Sequence, residues 1–282
     1  MTIRDALAAA VARLQSEPIG SPRMAAETLL MHVLSCDRAY LHAHPERELA
    51  EAEQRRLEHA VAERASGKPL QYITGHQEFW GLDFIVSPAV LIPRPETEHL
   101  VEAALEIAKE QSHSRIVDVG TGSGCIILAL ASELPNAELH ATEISPPALE
   151  VARKNAEHLG LRHRVELHQG NILAPFANQP MAFDLIVSNP PYVGRDEADK
   201  VQREVREHEP EVAVFAGEEG MDVYRRLVPQ ALAVLKPGGW LLVEIGYSIE
   251  ARVRALLSGW NEIAAIPDLQ GIPRVVKARK PL

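Results

Sequence analysis

The chain has 282 residues, 46% of them hydrophobic, and a formal net charge of −10. That length and apolar content allow one large domain or two smaller ones with a real core. The acidity makes long duplex nucleic acid an unfavourable partner, because affinity there comes largely from cations meeting phosphates. Only Cys36 and Cys125 are present, so no disulfide framework is indicated and a reducing cytoplasm fits. No stretch approaches the ~20 apolar residues of a membrane span, and Met1-Thr2-Ile3-Arg4-Asp5 lacks an apolar signal core. The expectation is a soluble cytoplasmic protein with no membrane partner.

Residues 1 to 67 read as helices. Ile3, Leu7, Ala10, Val11 and Leu14 recur at helical spacing, as do Leu29, Leu30, Val33 and Leu34. Ser21-Pro22 predicts a cap and first-turn pair for the second helix. A third helical segment runs from Leu49 to Ala65. His32, His42, His44 and His59 are scattered without metal-ligand spacing, and no metal is expected. With no catalytic cluster among them, these helices read as a small recognition bundle. The first 70 residues carry nine Lys and Arg against ten Asp and Glu, the remainder 20 against 29, so the acidity lies in the later part.

Gly67-Lys68-Pro69 marks a boundary. From Tyr72 to Val90 aromatics and short alternation predict a β-hairpin turning at Gly81. It leads into Leu91-Ile92-Pro93-Arg94-Pro95-Glu96-Thr97-Glu98, where two prolines stiffen the backbone and Thr97 is placed to cap a following helix. Two readings of this run stand side by side. One is a rigid lead into a helix; the other is a pocket wall with Arg94 and the carboxylates positioning their neighbours.

Ile116 to Val119 is a strand running into Asp118-Val119-Gly120-Thr121-Gly122-Ser123-Gly124, and Cys125 opens a helix. Glycines let the backbone pass through positive φ and approach a ligand closely. Such a turn also serves nicotinamide dinucleotides, but here the third glycine follows the second by two residues rather than three. Asp118 offers a carboxylate that a methionine ammonium could meet. About twenty residues on, a second strand ends in Glu143, where a carboxylate can accept both ribose hydroxyls. After a third strand, Asn171 and Ile172 are placed to meet an adenine edge and face. Cys125, at a helix start, reads as a small packed residue rather than a nucleophile.

Phe183 to Val187 reads as a buried strand that Asn189-Pro190-Pro191-Tyr192 must end, since prolines have no N–H for the ladder. Asn189 offers an amide, Pro190 an unpaired backbone carbonyl and Tyr192 a flat face, a set able to grip a planar amide or amino group. The charged segment Arg195 to Glu211 reads as a loop or short helix over the pocket. A helix through Leu227 to Leu235 stops at Lys236-Pro237-Gly238-Gly239. Trp240 to Ile245 is a further strand, Ile249 to Leu257 a helix, and Ile263–Ile266 with Arg274–Ala278 an edge hairpin. Alternating strands and helices from residue 113 imply an α/β fold with a doubly wound, mostly parallel sheet.

The glycine turn, Glu143 and the Asn-Pro-Pro-Tyr run, in this order, resemble the class I S-adenosylmethionine methyltransferases that modify planar nitrogens. With Pro93-Arg94-Pro95-Glu96-Thr97-Glu98, Glu209-Pro210, Phe215-Ala216-Gly217-Glu218-Glu219-Gly220 and a helical N-terminal region, the chain resembles the peptide chain release factor glutamine N5-methyltransferases over essentially its whole length. That resemblance implies a seven-stranded methyltransferase sheet with an antiparallel edge hairpin over residues 93–282. A small all-helical domain, 1–67, and a β-hairpin linker, 68–92, precede it. It implies methyl transfer from S-adenosylmethionine to the glutamine side chain of the Gly-Gly-Gln motif of release factors. Asp118, Gly120, Thr121, Gly122, Ser123, Gly124, Glu143, Asn171, Ile172 and Asn189 would bind cofactor. Asn189, Pro190, Pro191, Tyr192, Arg94 and Glu98 would meet substrate, with Asn189, Pro190 and Tyr192 at the reacting centre. Asn171 stands where the family often has Asp, and Glu143 where Asp is also common; neither change removes a hydrogen-bonding capacity. The alternatives are a ribosomal-protein glutamine methyltransferase, a DNA adenine N6-methyltransferase and a non-catalytic nucleotide-binding module.

Overall fold

A computed structural model describes residues 1–109 and 113–282. In chain order it contains α1 (Ile3–Gln15), α2 (Pro22–Leu34), α3 (Arg38–Ala43), α4 (Glu51–Ala65) and α5 (Leu70–Thr74). The hairpin strands β1 (His76–Phe79) and β2 (Leu82–Ile85) follow, then α6 (Glu98–Lys109), β3 (Arg115–Val119) and α7 (Cys125–Glu133). Next come β4 (Glu138–Glu143), α8 (Pro146–His158), β5 (Val165–Gln169), β6 (Phe183–Ser188), α9 (Arg203–His208) and α10 (Glu211–Val214). The last elements are α11 (Asp222–Val234), β7 (Leu235–Glu244), α12 (Glu250–Leu256), β8 (Asn261–Pro267) and β9 (Pro273–Arg279).

These elements form two compact units, Met1–His76 with Gln202–His208, and Gln77–Val201 with Glu209–Leu282. In the first, helical spacing puts Leu14, Leu29, Leu30, Leu57 and Val61 into one core. Its span reaches His76 rather than stopping at residue 67. Tyr72 and Ile73, expected in the hairpin, lie in α5, which opens after Pro69 and closes on the left-handed Gly75 (φ 81°). Pro22 takes the first turn of α2 as expected, but Ser21 sits at φ 52° and its side chain caps nothing. The charged stretch after residue 195 also divides. Its part from Gln202 to His208 joins the helical unit, where Glu204 pairs with the buried Arg64 at 2.5 Å.

The second unit holds a seven-stranded sheet in the order β5-β4-β3-β6-β7-β9-β8. Neighbours from β5 through β7 are parallel, and β9 pairs antiparallel with both β7 and β8, giving the expected edge hairpin. Side chains alternate between two cores, as period-two strands require. Ile116, Leu185, Leu242 and Val275 face a core shared with α6 and α7. Val117, Ile186, Leu241 and Val276 face the other, shared with α11 and α12. Lys236-Pro237-Gly238-Gly239, expected as a stop before the strand, lies inside β7. The ladder pairs Leu235 with Phe183, shifts register, and resumes at Trp240 opposite Leu185. The four residues are thus an irregularity in the strand that Gly238 (φ 74°) accommodates. Because β4 and β6 flank β3 on opposite sides, the carboxyl ends of β3 and β6 form the crevice where open α/β sheets receive ligands.

Candidate active site

That crevice is a cavity walled by the glycine turn after β3, the end of β4, residues 170–172, the chain after β6, and residues 89–97 and 210–213. Gly120, Gly122 and Gly124 adopt φ of 74°, 57° and 84°, which is why three glycines are needed in five residues. The turn is pinned from outside. Backbone N–H groups of Gly120 and Thr121 both donate to the Thr142 carbonyl, at 2.9 and 3.0 Å. Gly124 sits against α8, where an added Cβ would lie 3.1 Å from Leu128 and 3.4 Å from Ala152.

Glu143, 7% exposed, closes the other side of the turn. One carboxylate oxygen accepts from the Gly122 N–H at 2.9 Å and the other from the Ser145 N–H at 2.8 Å. A carboxylate oxygen has two lone pairs, so each keeps one to accept a further hydroxyl. Asn171 and Ile172 line the same cavity. Ile172 is held at φ 57°, a conformation that costs a β-branched residue about 1–3 kcal/mol and that aims its side chain into the cavity wall.

Asp118 is placed differently from the rest of the turn. It is fully buried and is not among the residues lining the cavity; one oxygen takes the Thr121 hydroxyl at 2.6 Å and the other has no partner. Burial pushes its carboxyl up to about 7, against the Thr121 hydrogen bond, which favours the ionised form. Cys125 is likewise buried, and its thiol is pushed up to about 12, so it is a packed residue with no thiolate to offer.

On the facing wall, Asn189 donates its Nδ2–H to the Thr97 hydroxyl oxygen at 3.1 Å. With the NH₂ so engaged, the Oδ1 acceptor is the end left for a ligand. Pro190 and Pro191 also line the cavity, and among the described residues no N–H donates to the Pro190 carbonyl. Tyr192 does not line it. Its ring lies against Gly246, where a Cβ would approach Cδ2 to 2.9 Å, and burial pushes its hydroxyl up to about 12. Arg94 lines the cavity and is paired with Glu209, whose carboxylate is buried and also accepts the Ile92 N–H at 3.3 Å. Glu98 faces away from the cavity and accepts the Trp80 N–H at 2.8 Å, bracing the hairpin turn.

Residues 5–75 match the PrmC N-terminal domain, and residues 110–270 match a methyltransferase domain. The release factor glutamine methyltransferase of Koribacter versatilis is 54% identical over 282 residues, covering 100% of this chain and 99% of its own. That of Moorella thermoacetica is 46% identical, covering 97% of each chain. The chain belongs to the release factor glutamine methyltransferase family. Among solved structures, the hMettl16 catalytic domain in complex with MAT2A 3'UTR hairpin 1 aligns with a TM-score of 0.58 at 17% identity, covering 85% of this chain and 84% of its own. A methyltransferase from Pyrococcus furiosus aligns at 0.52 and 20% identity, covering 72% of this chain and 90% of its own. Both speak to the fold.

As a member of this family the chain is an S-adenosylmethionine-dependent methyltransferase. Its residues fit that cofactor. The turn presents Gly120 and Gly122 backbone to open space, with nothing within 4 Å of an added Cβ, and Glu143 keeps a lone pair on each oxygen. The sequence named Thr97 and Glu209 without these contacts and did not single out Glu244. Thr97 fixes Asn189 instead of capping α6, whose start is preceded by a 3-10 turn at Pro95–Thr97. Glu209 anchors Arg94. Glu244 lies buried at the end of β7, its carboxyl pushed up to about 7 by burial, with the Thr97 hydroxyl and Asn189 amide near enough to temper the rise. An acid inside the apolar run Leu241-Leu242-Val243-Glu244-Ile245 was the one signal available for it.

Proposed function

We propose that this protein methylates the side-chain amide nitrogen of the glutamine in the Gly-Gly-Gln motif of peptide chain release factors. The observation that carries the proposal is Asn189, which lines the cavity with its NH₂ donating to Thr97, so that its Oδ1 is the end left to accept, next in the chain to the Pro190 carbonyl. A primary amide has two N–H donors, and these two acceptors match them. The amide nitrogen is a weak nucleophile because its lone pair is delocalised into the carbonyl. Binding both N–H groups holds that nitrogen in one orientation, and preorganised dipoles then carry the rate. S-adenosylmethionine, held by the Gly120–Gly124 turn, Glu143, Asn171 and Ile172, supplies the methyl group.

Arg94, fixed by Glu209, adds a cation to the wall and positions the substrate backbone. Tyr192, packed on Gly246, stiffens the Asn-Pro-Pro run from behind. Every residue lining the cavity belongs to the second unit, so the helical unit is left to recognise the protein substrate. A release factor substrate sets the place of action in the cytoplasm. A flipped base's amino group would offer the same two donors, but the full-length relatives named above favour glutamine. The test is incubation with labelled S-adenosylmethionine and a purified release factor, followed by mapping of the methylated residue. Label on the Gly-Gly-Gln glutamine is expected; label elsewhere, or none, overturns the proposal.

A further inference from the structure

On the edge of the sheet, away from the residues that line the cavity, β4 and β5 bring His140, Glu166 and His168 together. Parallel register sets His140 opposite Glu166, and His168 follows two residues on, so the three side chains leave one face. His140 Nδ1 lies 3.2 Å from His168 Nε2 and 3.6 Å from Glu166 Oε2, and the last two are 3.8 Å apart. A point equidistant from these three atoms is roughly 2.1 Å from each, which matches the Zn–N and Zn–O bond lengths of about 2.0–2.2 Å.

A second observation points the same way. The other ring nitrogen of His140, Nε2, is 2.8 Å from Glu138 Oε1. In the tautomer with its proton on Nε2, His140 donates to that carboxylate and has its Nδ1 lone pair for the cluster, the arrangement that orients histidine ligands in metal sites. Arg115 Nε points at both Nε2, at 3.3 Å, and the same Glu138 oxygen, at 2.8 Å; in that tautomer it donates to the carboxylate, which meets its charge. Phe176 and Phe183 stand edge-on to the His140 ring, both at 5.6 Å, and Phe176 to His168 at 4.9 Å, which fixes the rings. His140 is buried, His168 half-buried and Glu166 exposed, which leaves one side of the triangle open for a fourth ligand such as water.

We infer that His140, Glu166 and His168 form a binding site for a divalent cation of the zinc class, clamping the edge strand β5 to β4. Two imidazoles and one carboxylate suit such a borderline ion, with water completing a tetrahedron. The ion takes the place of the proton between the facing ring nitrogens; that proton leaves to solvent while His168 takes one up at Nδ1, so both ligands remain neutral imidazoles. The site is a structural clamp and takes no part in methyl transfer.

Equilibrium dialysis of the full chain against Zn²⁺, with bound metal measured by elemental analysis, tests this. One equivalent per chain is expected for the native protein, together with a rise in Tm. Glu166→Gln and His168→Gln are each expected to weaken binding by at least 10-fold. Glu138→Gln, which removes no ligand atom but changes the group facing His140 Nε2, is expected to weaken it about 10–100-fold by loosening His140. Glu166 is exposed, so its variant keeps the fold, which far-UV circular dichroism and unchanged cofactor affinity confirm. Zinc bound equally by native protein and Glu166→Gln, or no stoichiometric zinc in the native protein, overturns the inference.

Discussion

Asn189 Nδ2 donates to Thr97 Oγ1 across 3.1 Å, joining the end of β6 to the turn before α6, 92 residues earlier in the chain. This contact engages the NH₂ end of the Asn189 amide and leaves Oδ1 as its acceptor. Thr97→Val keeps the shape and removes the acceptor, so the half-buried Asn189 NH₂ loses its bond to Thr97 and keeps only the Glu244 carboxyl, at about 1–3 kcal/mol. Methyl transfer is expected to fall roughly 5- to 150-fold in kcat, with cofactor affinity little changed and Thr97→Ser restoring most of the rate. Asn189→Ala is expected to lose about 10²–10³ in kcat by analogy with an oxyanion-hole donor. Steady-state kinetics measured separately from cofactor Kd checks both, and a Thr97→Val enzyme at full rate would show that Asn189 needs no such anchor.

Glu143 is tied to the turn through Gly122 and to the start of α8 through Ser145. Glu143→Ala removes the carboxylate proposed to hold the ribose and also frees the Gly122 and Ser145 N–H groups. Cofactor affinity is expected to fall by about 1.5–3 kcal/mol, the scale of hydrogen bonds to a charged group. Calorimetric titration gives the number, and an unaltered Kd would remove Glu143 from the site.

The buried carboxyl of Glu244 gives stability a definite slope with pH. Its ordinary value is 4.5, and burial raises it to about 7 in the folded chain. Between these values the folded state holds more protons than the unfolded one, so this contribution is complete below 4.5 and is lost as pH rises to about 7. Asp118, raised from 3.8 to about 7, has the same sign in an overlapping window. Glu244→Gln is expected to remove a slope worth on the order of 3 kcal/mol, most of it between pH 4.5 and about 7. Urea unfolding at several pH values reads it directly, and an unchanged profile would locate the slope elsewhere.

Gly220 backs the chain that follows Asn189. It sits at φ 73°, and a Cβ there would lie 2.1 Å from the Tyr192 carbonyl oxygen. The Tyr192–Gly194 segment is also bonded to the next stretch, with Val193 N–H donating to Val214 O at 3.1 Å and Ala216 N–H to Val193 O at 3.0 Å. Gly220→Ala is expected to cost more than about 2 kcal/mol of stability and to lower kcat by displacing the Asn-Pro-Pro run. Gly271→Ala is the control. Its φ is 81° but nothing lies within 4 Å of the added carbon, so it is expected to cost about 1–2 kcal/mol and leave kcat intact. Equal losses in the two variants would mean that strain alone, without the contact to Tyr192, sets the cost.

Much of this protein follows from local sequence. The period-two and helical apolar patterns and the glycine turn depend on backbone preferences that act within a few residues. So does the end of β6 at Pro190, and all of these were legible without coordinates. Glu143 was legible for the same reason: a strand that ends beside that turn delivers its last side chain there. What local pattern misjudged were segments where tertiary contacts outweigh it. Tyr192 looked like a stacking face but packs on Gly246, 54 residues away, and Lys236-Pro237-Gly238-Gly239 looked like a stop but is carried inside β7 by pairing on both sides. The Thr97–Asn189 anchor, the Arg94–Glu209 pair and the His140–Glu166–His168 triangle belong to the tertiary structure alone. Each joins side chains from separate elements, and the distances that make them interact arise only when strand register and helix packing bring those elements together.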